Sequence, residues 1–268
     1  MKKVLISTLV IILMIIIVGV IVVRNSVIHV QLPHGAVLHV LPAPMNNQTH
    51  GAIMLCPGGG YSYLSKLNEG YLWFPFFYRQ GFTAAMLEYR LPNRKPQVPM
   101  IDAAEAIKMM RARAEEWNYD KNNVGVMGFS AGGHLASTLL VSDRASIRPD
   151  FGILFYPVIS MKKELTHQGS HDHLLGENAT EQLEIQYSNE LRVSDQIPPT
   201  YIALSVDDPK VNPQNSIRFY KEMRDKNRPA KLRVYPSGGH GWGYLPTFTY
   251  HQQMLDELSD WLENRHRE

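Results

Sequence analysis

The chain has 268 residues, of which 44% are hydrophobic and 19% are charged, and its formal net charge is +2. These apolar side chains suffice for a full core, so the composition excludes wholesale disorder. The nearly balanced charge gives no reason to expect nucleic acid or another polyanion as a partner. The one cysteine, Cys56, cannot form a disulfide within the chain, and its apolar neighbours predict a buried strand residue.

Residues 4–23 form an apolar run that Lys2 and Lys3 precede and Arg24 closes. Its length matches the hydrocarbon core of a bilayer. No small-x-small cleavage site follows Arg24, which favours an uncleaved signal anchor over residues 1–26, with a cleaved signal peptide as the alternative. The two lysines place the N-terminus inside, so we expect residues 27–268 to form a membrane-anchored domain in the periplasm or outside the cell, or a secreted domain after cleavage.

Beyond this segment, apolar runs alternate with stretches of helical periodicity. Continuous apolar runs bounded by glycine or proline predict buried strands, and apolar positions three and four apart predict helices. The predicted strands cover residues 37–41, 52–56, 83–87, 123–128, 151–156, 201–205 and 232–235, and the predicted helices cover 100–117, 132–141, 216–224 and 252–262. This alternation predicts an α/β fold in which a mostly parallel central sheet carries helices on both faces.

A long connection, residues 160–196, separates the fifth and sixth predicted strands. Connections of this length are usually lids, binding loops or small helical insertions. We therefore expect residues 160–196 to form a cap or a substrate loop. Within it, His171 and His173 stand two apart like a pair of metal ligands, but no further ligands follow at suitable spacing, so they predict a polar loop and no metal site.

Residues 128–132 read Gly-Phe-Ser-Ala-Gly, with Ser130 at the centre, directly after an apolar strand and at the start of a helix. This strand-turn-helix context is typical of a nucleophile elbow, where a sharp turn exposes the serine oxygen. The small residues on either side relieve crowding in the turn. Ser130 is therefore the candidate nucleophile, and the backbone N–H of Ala131 is expected to face the same space.

A serine nucleophile needs a base, and the base needs an acid that orients it. In chains with this elbow the order is serine, acid, histidine. His240 follows the last predicted strand between flanking glycines, so it is the candidate base. Asp207 and Asp208 both follow the strand 201–205. The pattern acid-x-x-Val favours Asp208, and Asp207 is then expected to form a turn.

A second glycine-rich loop follows the strand 52–56, with the sequence Pro-Gly-Gly-Gly-Tyr over residues 57–61. Chains with a nucleophile elbow form part of their oxyanion hole in a loop at this position. Glycines let backbone N–H groups approach a tetrahedral oxygen closely. We therefore expect Gly59 and Gly60, together with Ala131, to form the oxyanion hole. Tyr61, Tyr63 and Trp242 flank these loops and are candidates for stacking on a substrate ring.

Four motifs together resemble the acetylxylan esterase-like, or carbohydrate esterase-like, α/β-hydrolases. They are residues 56–61 (CPGGGY), residues 128–136 (GFSAGGHLA), the Asp207–Asp208 pair with Val211, and residues 238–242 (GGHGW). The resemblance covers residues 37–262. It implies an α/β-hydrolase fold and a serine esterase that removes acetyl or other small acyl groups from sugars, and it implies no cofactor.

This sequence departs from the family pattern at two positions. Pro57 stands where lipase-like relatives have a histidine, which argues against a plain lipase. Asn212 stands where many relatives have a proline in the acid loop. Two alternatives stay open at this point. One is a hydrolase of lipid esters, aromatic esters or peptides, and the other is an inactive membrane-anchored protein that binds a ligand.

Overall fold

A computed structural model describes residues 26–44 and 51–265 of the chain. Its dominant feature is a sheet of eight strands. In chain order these are β1 (Ile28–Gln31), β2 (Val37–Leu41), β3 (Gly51–Cys56), β4 (Phe82–Glu88), β5 (Val124–Phe129), β6 (Phe151–Phe155), β7 (Thr200–Ser205) and β8 (Ala230–Tyr235). Their spatial order is β1-β2-β4-β3-β5-β6-β7-β8.

The sheet is antiparallel at one edge and parallel elsewhere. β1 pairs with β2, and β2 pairs with β4, in antiparallel register. β3 to β8 form a parallel set, in which β3 lies between β4 and β5. Because the carboxyl ends of parallel strands share one edge of a sheet, the loops after β3, β5, β7 and β8 meet there.

Seven α-helices lie in the described ranges. They are α1 (Phe74–Arg79), α2 (Gln97–Ala112), α3 (Ser130–Leu140), α4 (Gln168–Leu174), α5 (Glu181–Gln186), α6 (Gln214–Asp225) and α7 (His251–Asn264). Side chains of α2, α3 and α6 pack in a core cluster on one face of the sheet. Side chains of α1 and α7 pack in a second cluster on the other face.

The central strand β3 shows how the sequence builds both cores. All six of its residues are buried. Ala52, Met54 and Cys56 belong to the first cluster, and Ile53 and Leu55 belong to the second. Successive side chains of a strand point to opposite faces, so a strand covered on both faces must be apolar throughout. This confirms the predicted sheet with helices on both faces.

Some predicted elements differ from the structure. β1 and α1 were not expected, and the predicted helix 100–117 begins earlier and ends earlier, at Gln97 and Ala112. Residues after Ala112 continue as turns, in which Trp117 still packs into the first core cluster. The apolar spacing at Trp117 therefore reflects burial beyond the end of the helix.

The expected cap, residues 160–196, has helical structure of its own. It carries α4, α5 and a short 3₁₀ helix, Asn189–Arg192. The polar loop expected around His171 and His173 is wrong, because both residues lie on α4. His171 is fully buried, and its ring nitrogens pair with Asp172 (2.8 Å) and Glu184 (3.1 Å), which ties α4 to α5.

The predicted signal anchor, residues 1–26, falls almost entirely outside the described residues. Within residues 26–44 and 51–265, no helix has both the length and the apolar character needed to cross a bilayer.

Candidate active site

Ser130 lies at the turn between β5 and α3, with φ at +51°. This left-handed conformation is strained for a residue other than glycine, and residues strained in this way cluster at functional sites. The neighbouring glycines have no room for a side chain. A Cβ at Gly132 would lie 2.1 Å from the carbonyl oxygen of Cys56, and one at Gly128 would lie 2.4 Å from that of Gly132. The elbow therefore needs glycine on both sides of the serine.

His240 connects the serine to an aspartate. Its Nε2 lies 2.9 Å from Ser130 Oγ, and its Nδ1 lies 2.7 Å from Asp208 Oδ2. The side chains of His240 and Asp208 are 17% and 2% exposed. Ser130, Asp208 and His240 come from the loops after β5, β7 and β8, which the parallel sheet brings to one edge. The structure thus brings these three predicted site residues into one hydrogen-bonded line.

The hydrogen bonds also define the tautomer of His240. A carboxylate only accepts, so Nδ1–H donates to Asp208. The lone pair of Nε2 then faces the hydroxyl of Ser130 and can accept its proton. The other carboxylate oxygen, Oδ1, accepts the backbone N–H groups of Lys210 (2.8 Å) and Val211 (2.9 Å). Asp208 is therefore held in place from its own loop.

Asp207 lies in a turn, as the sequence suggests, and it also accepts two hydrogen bonds from the loop that carries His240. Its Oδ1 accepts the N–H of Gly239 at 2.8 Å, and its Oδ2 accepts that of Gly238 at 3.3 Å. Both glycines have positive φ angles, +135° and +62°. Asp207 therefore anchors the glycine turn that carries His240, while Asp208 contacts the imidazole itself.

The glycine loop after β3 packs directly against the elbow. A Cβ at Gly58 would lie 2.9 Å from the Cβ of Ser130. Gly59 and Gly60 follow with φ angles of +127° and +63°. In the described part of the chain, their N–H groups donate to no protein acceptor. Ala131 occupies the first turn of α3, where helical N–H groups have no helical partner. Two sources of N–H donors thus flank Ser130.

A cavity of about 340 Å³ opens over the serine. The Ser130 and His240 side chains line it together with Gly59, Gly60 and Tyr63, and Tyr63 is 63% exposed. The α4 segment, which consists of α4 and its N-cap residue His167, contributes His167, Gly169 and His173 to the wall. Lys210, in the loop that carries Asp208, also lines the cavity. The segment 160–196 therefore does reach the cavity.

Two of the three aromatic residues proposed to stack on a substrate have other roles. Trp242 is 4% exposed, stacks on Phe248 with ring centroids 4.3 Å apart, and donates its N–H to Ser205 Oγ. Tyr61 is 1% exposed, and its hydroxyl bonds to His134. The expectation that the rings of Tyr61 and Trp242 stack on a substrate is wrong, because both rings are packed inside the protein. Tyr63 alone presents an open ring.

Three buried polar residues around the site, Glu69, His134 and Tyr156, were not among the predicted site residues. Glu69 and Tyr156 belong to no recognised motif. His134 follows the elbow on α3, and its burial could have been inferred only from the helix face. In the described ranges, no group of three or more His, Cys, Asp or Glu side chains is arranged to hold a metal ion.

The buried His134 predicts a loss of stability in acid. Its Nε2–H donates to the carbonyl of Tyr187, and its Nδ1 accepts the hydroxyl of Tyr61. Burial lowers the pKa of His134 from 6.5 to about 4. Between these values the unfolded chain binds a proton that the folded chain does not, so stability is full above pH 6.5 and is lost as pH falls toward 4.

Because His134 is protonated in the unfolded chain but not in the folded one, we expect it to lower the free energy of unfolding by about 3 kcal/mol between pH 6.5 and about pH 4. His134→Gln keeps one donor and one acceptor but does not titrate, so its unfolding free energy should fall less on acidification. Urea unfolding of the wild type and of His134→Gln, near neutral pH and near pH 4, measures how much unfolding free energy each protein loses in acid. An equal acid-induced loss in the two proteins would contradict this account of His134.

The first comparisons with known proteins concern the sequence. A sequence profile described as an alpha/beta hydrolase fold matches residues 78–243, which include Ser130, Asp208 and His240. An acetylxylan esterase from Xylanibacter ruminicola is 38% identical over 222 residues, which are 81% of this chain and 46% of that protein. Endo-1,4-beta-xylanase B from Butyrivibrio fibrisolvens is 34% identical over 206 residues, which are 70% of this chain and 32% of that protein. The chain spans less than half the length of either relative.

Solved structures of hydrolases share the fold of this chain. The acetyl ester-xyloside bifunctional hydrolase from Caldicellulosiruptor lactoaceticus has a TM-score of 0.79 and 32% identity, and the match covers 87% of this chain and 89% of that chain. A sugar hydrolase from Lactococcus lactis has a TM-score of 0.77 and 25% identity, over 90% of this chain and 98% of that chain. The sequence profile, the fold and these relatives establish that the chain belongs to the α/β-hydrolase family.

Proposed function

We propose that this protein is a serine esterase that removes acyl groups, above all acetyl groups, from carbohydrates. The observation that carries the proposal is the hydrogen-bonded line from Ser130 through His240 to Asp208. This arrangement is the one that nucleophilic acyl transfer to serine requires. The glycine loop beside Ser130 supplies N–H donors for the oxyanion, and the cavity leaves room for an ester above them.

The reaction follows from these contacts. His240 Nε2 takes the proton of Ser130 as Oγ attacks the ester carbonyl, and Asp208 stabilises the imidazolium that forms. Gly59, Gly60 and Ala131 donate N–H groups to the tetrahedral oxyanion. The imidazolium then protonates the departing sugar oxygen, which leaves an acyl group on Ser130. Water attacks this acyl-enzyme with His240 again as the base, releases the acid and restores the serine.

The relatives support a carbohydrate as the alcohol part of the ester. An acetylxylan esterase and an acetyl ester-xyloside hydrolase are among them, and both names couple acetyl esters to xylose-based sugars. The shape of the surface also supports this choice. A second cavity, of about 810 Å³, shares Ser62, Gly169 and His173 with the cavity over Ser130 and extends to Arg94 and Glu177. Two adjoining cavities lined by polar groups suit a chain of sugar units.

A substrate panel tests the proposal. We expect hydrolysis of acetylated xylan and of short-chain nitrophenyl esters, weak hydrolysis of long-chain esters, and no cleavage of dipeptide amides. Released acetate and nitrophenolate are measured with the full chain. Cleavage of amides without esters would reject the esterase, and activity confined to long-chain esters would reject the carbohydrate substrate.

Tyr63 should contribute to the binding of sugars. Its ring is exposed at the cavity, and a sugar–ring contact of ordinary strength predicts that Tyr63→Ala raises KM for acetylated xylo-oligosaccharides about 3- to 10-fold. The kcat/KM for ethyl acetate should stay within about twofold, since this substrate has no ring to stack on Tyr63. Tyr78→Ala, at an exposed tyrosine on α1, is the matched control. Equal effects on both substrates would contradict a sugar-binding role.

We also propose that residues 1–26 anchor the enzyme in a membrane, with residues 27–268 outside the cytoplasm and residues 160–196 as a cap over the site. The apolar run between basic residues supports the anchor. Membrane fractionation with N-terminal sequencing tests it. A mature chain that starts beyond Arg24 and stays in the soluble fraction would replace the anchor by a cleaved signal peptide.

A further inference from the structure

A buried carboxylate, that of Glu69, lies beside the catalytic groups and has no part in the mechanism above. Glu69 is 4% exposed and belongs to the connection between β3 and α1. Its Oε2 accepts the backbone N–H of Gly58 at 2.8 Å. Its side chain also reaches the wall of the cavity that contains Ser130 and His240. A glutamate in such a position needs a reason, because burying a charge is costly unless bonds compensate for it.

Tyr156 connects this carboxylate to the loop that carries the histidine. The Tyr156 hydroxyl bonds to Glu69 Oε1 at 2.9 Å and accepts the N–H of Gly243 at 2.8 Å. Its ring lies against His240, with centroids 4.8 Å apart. Tyr156 follows β6 directly and has a φ of +37°, so the backbone is strained to present this side chain.

The hydrogen bonds fit an ionised Glu69. Gly243 N–H occupies one lone pair of the Tyr156 oxygen, and the hydroxyl proton remains to be donated to Oε1. Gly58 N–H can only donate to Oε2. Burial raises the pKa of Glu69, while the bonds from Tyr156 and Gly58 and the nearby His240 oppose that rise. The two donors thus compensate for part of the cost of burying the charge.

The hydrogen bond from Gly58 links Glu69 to the loop that is proposed to bind the oxyanion. Gly58 packs against both Glu69 and Ser130, since a Cβ there would be 2.9 Å from Glu69 Oε2 and 2.9 Å from the serine Cβ. The bond to Glu69 fixes the peptide plane between Pro57 and Gly58, which directly precedes the peptides that carry the N–H groups of Gly59 and Gly60. Movement of that plane would move the N–H groups that are aimed at the oxyanion, and such donors act only when they are preorganised.

We propose that Glu69 is a positioning residue of the esterase, which holds the oxyanion loop through Gly58 and stabilises the imidazolium of His240 by its negative charge. This inference rests on the proposed function. Glu69 would add a second carboxylate to that of Asp208 near the imidazole. It would act without touching substrate, through Gly58 and through the electrostatic field at His240.

Several loops bring polar and titratable groups to Glu69 and His240. Glu69 faces Tyr156 after β6, Tyr89 after β4, Ser65 of its own loop, and His240. His240 in turn faces Asp208 after β7 and His167 of the α4 segment, and Lys210 lines the same cavity. Asp208 and Glu69 are thus two carboxylates that interact with the imidazole. Removing the Glu69 charge should weaken the stabilisation of the imidazolium that forms during the reaction.

The test is Glu69→Gln, compared with Glu190→Gln. Glu190 is the matched control, because it is also buried, at 6% exposure, and lies outside the cavity. For nitrophenyl acetate we expect Glu69→Gln to lower kcat about tenfold or more, with KM within about twofold. The acid limb of kcat/KM, which reports ionisation in the free enzyme, should move to lower pH. Glu190→Gln should change neither.

A second variant covers the case in which Glu69→Gln does not fold. Tyr156→Phe keeps the ring against His240 but removes the hydroxyl that donates to Glu69, so the carboxylate is less readily ionised and the acid limb should again move to lower pH. An unmoved acid limb in the folded variants overturns the inference, whatever happens to kcat. A wild-type chain without esterase activity overturns the proposed function instead, and the inference with it.

Discussion

Replacing Ser130 with alanine is expected to lower kcat for ester hydrolysis by roughly 10⁶-fold, which leaves only the contributions of the oxyanion hole and of substrate binding. The reason is that Ser130 Oγ is the atom to which His240 Nε2 is hydrogen-bonded at 2.9 Å, and without it no acyl-enzyme forms. His240 and Asp208 remain, but groups that act as a unit lose nearly all their effect when one is removed. The measurement is kcat for nitrophenyl acetate, together with labelling by a fluorophosphonate probe.

Ser142→Ala provides a matched control for this change. Ser142 is a buried serine that follows α3, and its oxygen accepts a backbone N–H from Arg144. It should keep wild-type labelling and activity within about twofold, as expected for a residue away from the reacting atoms. Labelling of Ser130→Ala at the wild-type rate would contradict the assignment of Ser130 as nucleophile. The same is true of a wild-type chain that the probe does not label at all.

The fold could be predicted as far as the local sequence decided it. β3 and β5 are buried on both faces, so their continuous apolar runs stand out from the loops around them. β1 lies at an edge, where only Val30 of its four residues is buried, and four residues show too little pattern to be recognised. α1 consists mainly of aromatic residues over six positions, and tertiary packing rather than intrinsic propensity makes it helical.

The candidate site was predictable where geometry forces the choice of residue. Ser130 needs Gly128 and Gly132 because a Cβ at either position would clash with backbone, and that necessity leaves a motif. No such constraint reveals the direction of a ring. Trp242 is next to a glycine turn in sequence, yet it turns inward to Phe248. Glu69 acts across the fold on Gly58 and Tyr156, and contacts between distant segments leave no local pattern.

Asp208 and its neighbour Asp207 are expected to differ greatly in how much each contributes to kcat. Asp208→Asn should lower kcat about 10⁴-fold, whereas Asp207→Asn should lower it about tenfold at most. Asp208 Oδ1 accepts two backbone N–H groups, from Lys210 and Val211. In Asp208→Asn the amide oxygen must stay with these donors, because an amide nitrogen cannot accept them. The amide NH₂ then points at His240 Nδ1, where the carboxylate oxygen was.

This reversal explains the size of the loss. An NH₂ group that donates to Nδ1 selects the tautomer with hydrogen on Nε2, and Nε2 then cannot take the proton of Ser130. Asp207→Asn does no such thing, since its amide oxygen can keep the shorter bond to Gly239 and only the 3.3 Å contact to Gly238 is lost. Measuring kcat for both variants, with circular dichroism to verify folding, separates the two roles. A larger loss in Asp207→Asn than in Asp208→Asn would contradict the assignment of Asp208 as the acid, and would transfer that role to its neighbour.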